Sequence, residues 1–336
     1  MAKVATGNNS SVQAPAARFG AIDVALLAMA VIWGLNAVVV KAIFVQMPPQ
    51  VFMAVRFAIA GALLLIVAYG VERSLAIQRR HWPLLVLAAM VGTGFYQPLF
   101  LFGLSMTSAS NAVLIIAISP VFVALINRML GRETLSPRAW AGIGLALGGV
   151  ALIVEGGAAG LHFDRQGLQG DALVLLSTLL WALYAVVAAP LVRVYTPLRV
   201  TALTTAIGAV PLMLLGAPAV RSMDWSQVNA WGWSGLLYSA IFAIVVAYVI
   251  WNMGVQRIGG ARTALYANLI PVVGAVAAAI FLGEPITVLK VAGAAIIFAG
   301  LHLARTARSH PTAAAEALAP ESCVMRHASN VKHCDA

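Results

Sequence analysis

Charge is what this chain lacks most. Only 10% of its 336 residues are Asp, Glu, Lys or Arg, against about 25% in a typical soluble chain, and that deficit excludes a soluble domain anywhere along it. There are two cysteines, Cys323 and Cys334, both after the last apolar run. They lie in a stretch expected to face a reducing compartment, so no disulfide framework is called for. With His327 and His333 they match no zinc spacing, and no metal is assigned. HExxH, Walker and GxSxG motifs are absent, and the glycines around Gly144 fall within an apolar run rather than a nucleotide loop. The chain therefore reads as a non-enzyme without a cofactor. Residues 1–19 contain no apolar run ahead of a cleavage site, which speaks against a secretory signal peptide there. Acidic residues are also missing from the depths of the apolar runs. Asp23 and Asp171 are read near run starts, which leaves no obvious relay for a coupling proton.

What the chain has is apolar length. It is 62% hydrophobic, and ten apolar runs, each near the ~20 residues that cross a bilayer, fall at 21–45, 49–71, 83–104, 109–129, 137–154, 171–192, 197–217, 231–253, 262–282 and 286–304. The expected fold is an all-α membrane protein of ten transmembrane helices. With the N-terminus inside, sixteen Lys or Arg collect on the inner side, among them Arg79, Arg80, Arg128, Arg132, Arg199 and Arg262. Only Arg165, Arg221 and Lys290 are left on the outer side. This asymmetry predicts a multi-pass inner-membrane protein with both termini cytoplasmic. The same placement accounts for the net charge of +10 without nucleic acid.

The runs repeat. The segment from Ser108 aligns without a gap on the segment from Gly259, so that Pro120 meets Pro271, Glu133 meets Glu284, Gly142 meets Gly293 and Gly149 meets Gly300, each 151 residues apart. At a spacing of 148, Asp23 meets Asp171 and Trp33 meets Trp181. The organisation that follows is a cytoplasmic N-terminal segment at 1–20, one five-helix unit at 21–154, a second at 171–304, and a disordered cytoplasmic tail at 305–336. Five is odd, so the second unit enters the membrane from the opposite side. Inverted repeats are the architecture of many carriers that work by alternating access, with the site between the halves.

These stretches also carry a resemblance. WGLNAVVVKAIF from Trp33, Arg56-Phe57, the run ending at Phe122, GDALVLLSTLLWALYAV from Gly170 and FLGEPIT from Phe281 resemble the EamA-type branch of the drug/metabolite transporter superfamily. The resemblance covers about Asp23 to Leu303. It implies two inverted five-helix bundles and export of small metabolites, often amino acids or related compounds.

Lys41 and Arg56 are read as the basic residues inside the spans, and their repeat counterparts, Ala189 and Thr204, are neutral. An intramembrane cation is costly and points to function. Both are candidates to attract a substrate carboxylate or to gate the outer mouth; snorkelling, or pairing with Glu284, is the structural alternative. Trp33 and Asn36, and at equivalent places Trp181 and Tyr184, share helix faces and form an aromatic and polar stripe suited to a cavity wall. Tyr96, Gln97, Tyr248, Trp251, Asn252, Tyr266 and Asn268 are further candidates. Pro120 and Pro271 each remove a backbone hydrogen bond and are read as hinges beside the cavity. Glu133 and Glu284 are assigned to holding helix–helix turns. Trp82, Trp140, Trp225, Trp231 and Trp233 fit interfacial anchors, and Gly142, Gly144, Gly148, Gly149, Gly293 and Gly300 fit helix packing or a homodimer surface. The partners implied are a small-molecule substrate and the lipid bilayer. An importer or drug carrier of the same fold, a membrane scaffold and an intramembrane enzyme are the competing readings.

Overall fold

The computed structural model of the chain describes residues 20–131, 133–157, 165–258, 263, 266–306 and 310–311. The Cys/His tail and Arg262 lie outside these residues. The described residues are almost wholly helical. In chain order the helices are α1 (Ala21–Ile43), α2 (Pro49–Glu72), α3 (Trp82–Ala89), α4 (Tyr96–Met106), α5 (Ala109–Ile116), α6 (Ser119–Met129), α7 (Pro137–Gly157), α8 (Arg165–Val194), α9 (Pro197–Ser222), α10 (Ala230–Tyr238), α11 (Ala247–Ile258), α12 (Leu269–Leu282) and α13 (Val288–Thr306). One antiparallel pair of two-residue strands, Glu133–Thr134 with His310–Pro311, joins the link before α7 to the segment after α13.

Eight helical stretches among the described residues are long and apolar enough to cross a membrane, and Leu269–Leu282 and Val288–Ala304 are shorter apolar helices. In hydrocarbon every backbone amide must find its partner within the segment, which is why apolar runs of this length are helical. Exposed Val, Leu, Ile and Phe on the outer faces, such as Ile66, Leu214 and Phe281, match lipid rather than water. The core lies between helices from the two halves of the chain. α1 packs on α12, α2 on α9, α8 on α4 and α6, and α7 on α13.

The α7–α13 contact depends on glycine. A Cβ on Gly142 would come within 2.6 Å of the Gly300 carbonyl oxygen, and one on Gly149 within 2.6 Å of the Gly293 carbonyl oxygen. Only glycine lets the two backbones approach so closely. The order of these contacts makes the two helices antiparallel. Gly144 and Gly148 have open space above them instead.

The apolar runs are interrupted at matching places. α3 and α4 are joined by a π-helical turn at Met90–Gly94, and α10 and α11 by a longer one at Ser239–Val246. The fourth run breaks between α5 and α6 at Ala117–Ile118, two residues before Pro120. The ninth breaks at Asn268, three residues before Pro271. Each proline thus occupies the first turn of a new helix, where its missing amide costs little, rather than the middle of a bent one. α8 starts at Arg165, six residues ahead of the expected 171. Asp171 therefore stands inside a helix, and it is 5% exposed. Asp23, the third residue of α1, is likewise buried at 6% exposure, so both acids sit inside the bundle.

Candidate functional site

Two polar regions lie within the apolar bundle, one central and one at the end of the bundle that carries Lys41. The central region is aromatic. Trp33 on α1 meets Trp181 on α8 edge-to-face, with ring centroids 5.8 Å apart, and meets Tyr248 on α11 at 5.7 Å. Trp181 also contacts Tyr96 at 5.4 Å, Tyr184 at 5.3 Å and Trp251 at 6.1 Å. Each such ring pair contributes about 0.5–1.5 kcal/mol beyond its burial. The widened π-helical turn frees a carbonyl, and the Trp33 Nε1–H donates to the Ala243 oxygen at 2.8 Å. In the other π-helical turn Gly92 leaves room for the Tyr184 ring, which a Cβ there would strike at 2.3 Å. Asn36 accepts a hydrogen bond from Ser239 Oγ at 2.5 Å. Gln97 Nε2 donates to the Tyr248 hydroxyl at 3.2 Å; these two residues are 151 apart, the spacing of the repeat.

Arg56 adjoins this cluster. It is 3% exposed, and Tyr96 and Tyr248 are near enough to act on it electrostatically. Its Cζ lies 5.5 Å from the Phe52 ring centroid and 5.4 Å from that of Phe57. Yet Nε and Nη1 have no hydrogen-bond partner, and neither does Gln97 Oε1. A buried donor left unsatisfied costs about 1–3 kcal/mol, more where the group is charged. The aromatic faces offset only part of that, about 0.5–2 kcal/mol per cation–π contact.

At the Lys41 end, side chains from α1, α8 and α13 and from the link between α12 and α13 converge on residues 104–111, the junction of α4 and α5. Lys41 Nζ donates to the carbonyl oxygens of Leu104 at 2.8 Å, Ser105 at 3.1 Å and Thr107 at 2.5 Å. These are carbonyls at the C-terminus of α4, where a cation is favoured by unpaired oxygens and by the helix dipole. Asp171 accepts from Thr107 Oγ1 at 2.5 Å and from Asn111 Nδ2 at 3.2 Å. Glu284 caps the N-terminus of α5, accepting from the backbone amides of Ala109 at 2.7 Å and Ser110 at 2.9 Å and from Ser110 Oγ at 2.6 Å. Lys290 Nζ donates to the same Ser110 Oγ at 2.8 Å and is 4% exposed. Lys290 is thus a second buried cation in addition to Arg56, while Lys41 is half-buried. The position of Lys290 inside the 286–304 run was the available signal.

The opposite end is held differently. Tyr266 donates to Asp23, and Glu72 pairs with Arg199, Nη2 to Oε2, at 2.7 Å and also accepts from Thr196.

The structure therefore brings Trp33, Tyr96, Trp181, Tyr184 and Tyr248 into one cluster, with Asn36 one turn away and Arg56 beside it. It sends Lys41 to the end of the bundle. Asn268 is half-buried at the break before α12, and Pro120 and Pro271 flank the two breaks. Glu133 lies in the short strand. Sequence reasoning missed the two π-helical turns, which leave no local signature in apolar sequence. It also missed the burial of Asp171, hidden by a misplaced helix start.

A many-span helical bundle with buried polar groups between its halves defines a multi-pass membrane protein of the transporter class. The model of the EamA-like transporter family matches residues 20–155 and again 168–306, and the chain belongs to that family, a branch of the drug/metabolite transporters. Its relatives are transporters rather than enzymes. They include the uncharacterized transporter YyaM of Bacillus subtilis (strain 168), 29% identical over 256 residues, which cover 75% of this chain and 83% of the relative. A protein of Salmonella typhimurium (strain LT2) named a probable amino-acid metabolite efflux pump is 30% identical over 295 residues, covering 82% and 92%. A solved crystal structure of a protein with no stated activity shares the fold, with a TM-score of 0.58 at 19% identity, covering 89% of this chain and 99% of that one.

Proposed function

We propose that the chain is an inner-membrane exporter of small polar or amphipathic metabolites, with amino acids and related compounds as the leading class. It works by alternating access between two inverted five-helix halves. The observation that carries this reading is reciprocal contact at equivalent positions. Gly142 faces Gly300 while Gly149 faces Gly293, Trp33 touches Trp181, and Gln97 bonds to Tyr248. Contacts of this kind arise when a two-fold axis relates the halves, and antiparallel equivalents make that axis lie in the membrane plane. The substrate site of such a carrier is expected where the axis crosses the bundle, which is the aromatic cluster. The family model's two matches, 20–155 and 168–306, support the duplication.

The excess of Lys and Arg orients both termini to the cytoplasm. The Lys41 end then faces outward. Bonds from Lys41, Asp171, Glu284 and Lys290 to one short segment make it a closed outer gate, the arrangement an exporter adopts while loading from the cytoplasm. The breaks before Pro120 and Pro271 are the hinges that let the half-helices move. The amino-acid class draws on the name of the Salmonella relative and on a cluster that offers both ring faces and polar groups.

The test is a counterflow screen in proteoliposomes over amino acids and related metabolites, with and without a pH gradient. Accumulation of one or a few of them, lost on Trp181→Ala, is expected. Absence of flux across the whole panel overturns the reading in favour of a scaffold.

A further inference from the structure

Arg56 is the one long buried cation in the described residues that the fold does not satisfy. Lys41 has three carbonyl partners and Lys290 has Ser110. Arg56 has no hydrogen bond and no carboxylate within pairing distance among the described residues. It is 3% exposed, its Nε and Nη1 are both unpartnered, and its charge is fixed, since a guanidinium keeps its proton. A packing role would be served as well by Met or Leu. In the second half of the chain the equivalent residue is Thr204, which bonds its own helix at Val200. Nε and Nη1 lie on different edges of the guanidinium, and each edge is shared with Nη2; with no hydrogen bond made, either edge offers two N–H groups, which a carboxylate takes together. A phosphate dianion would call for a second free cation, and Lys41 is occupied.

We propose that the Arg56 guanidinium is the anchor for a substrate carboxylate, with Tyr96, Tyr248, Trp33 and Trp181 receiving the remainder of the molecule. The substrate class is then small monocarboxylates with an apolar or aromatic body, α-amino acids among them. This rests on the transport reading but makes a narrower claim. The site is one-sided, because Thr204 offers no second anchor. The carboxylate is the group it requires, whether or not an amine is present.

The test uses purified full-length protein, titrated with L-phenylalanine, phenylacetate, L-phenylalaninamide and sodium chloride. Binding is read by intrinsic tryptophan fluorescence, since Trp33, Trp181 and Trp251 lie in the cluster. Both carboxylates are expected to bind, and the carboxamide about ten- to a hundredfold more weakly, the loss of a charge-assisted bidentate contact. Tighter binding of phenylalanine than phenylacetate identifies amino acids as the source, equal binding identifies simple carboxylates, and tightest binding by chloride overturns the proposal. In Arg56→Lys the preference for carboxylate over carboxamide should shrink. The ligand-free protein supplies a second readout. Arg56→Met removes an unpaired buried charge, so its unfolding temperature should rise while carboxylate binding is lost. A fall in that temperature, or equal binding of acid and amide, sinks the anchor. Arg56-dependent binding without flux in liposomes would sink the transport reading alone. Flux indifferent to both Arg56 and the carboxylate would sink the anchor alone.

Discussion

Lys41 and Arg56 carry the same charge, sit in consecutive helices of the same half, and face neutral residues at their repeat positions. The bundle treats them in opposite ways. Lys41 ends in a cage of three carbonyl oxygens at the C-terminus of α4. Arg56 ends among rings, with two of its nitrogens unpartnered. A buried cation whose bonds are all made within the chain holds structure. One whose bonds are missing is waiting for something outside the chain. Depth and charge alone do not separate the two cases; the inventory of partners does.

The comparison predicts opposite signs for parallel substitutions. The largest effect is expected from Lys41→Met, which strands three carbonyls. It should destabilise by about 3 kcal/mol and lower the unfolding temperature by roughly 5 °C, where Arg56→Met raises it. The same variant should loosen the proposed outer gate: in a cysteine-free background, Thr107→Cys should react with an impermeant maleimide only when Lys41 is also replaced. Glu284→Gln weakens the cap on α5 and the polar junction with Lys290, costing about 1–2 kcal/mol, and the same labelling should report partial opening. Trp33→Phe keeps an aromatic ring against Trp181 and Tyr248 but removes the bond to Ala243. A loss of about 1 kcal/mol, measured by thermal unfolding, is expected. The smallest effect sharpens the comparison itself. If the cage and the anchor are independent, Lys41→Met and Arg56→Met should combine additively within about 0.5 kcal/mol in the ligand-free protein. A larger coupling would mean that one site senses the other.

Much of the fold was legible because hydrocarbon permits few solutions. Runs such as 49–71 and 197–217 had to be helices, and they are α2 and α9 with modest extensions. The stripe of Trp33 and Trp181 was legible from its repetition. Asp171 was not, since its helix continues upstream through a polar stretch, Arg165 to Gln169, that no apolar pattern marks. Lys290 was visible inside its run, but a cation near the start of a run reads equally well as an outer-side charge, and its burial depends on Ser110 from another helix. The π-helical turns at Met90–Gly94 and Ser239–Val246 are met by Tyr184 and Trp33 from other helices. No window of their own sequence could announce them.

By itself the sequence determined membrane class, approximate spans, duplication and the positions that break the repeat, since each follows from local hydropathy or from aligning the chain with itself. Only the tertiary structure decided which polar groups meet. Hydrogen bonds act over about 3 Å and join residues such as Lys41 with Thr107, Glu284 with Ala109, and Gln97 with Tyr248, which are far apart in the chain. Whether a buried charge is satisfied is a property of that assembly, and it is what separates Lys41 from Arg56.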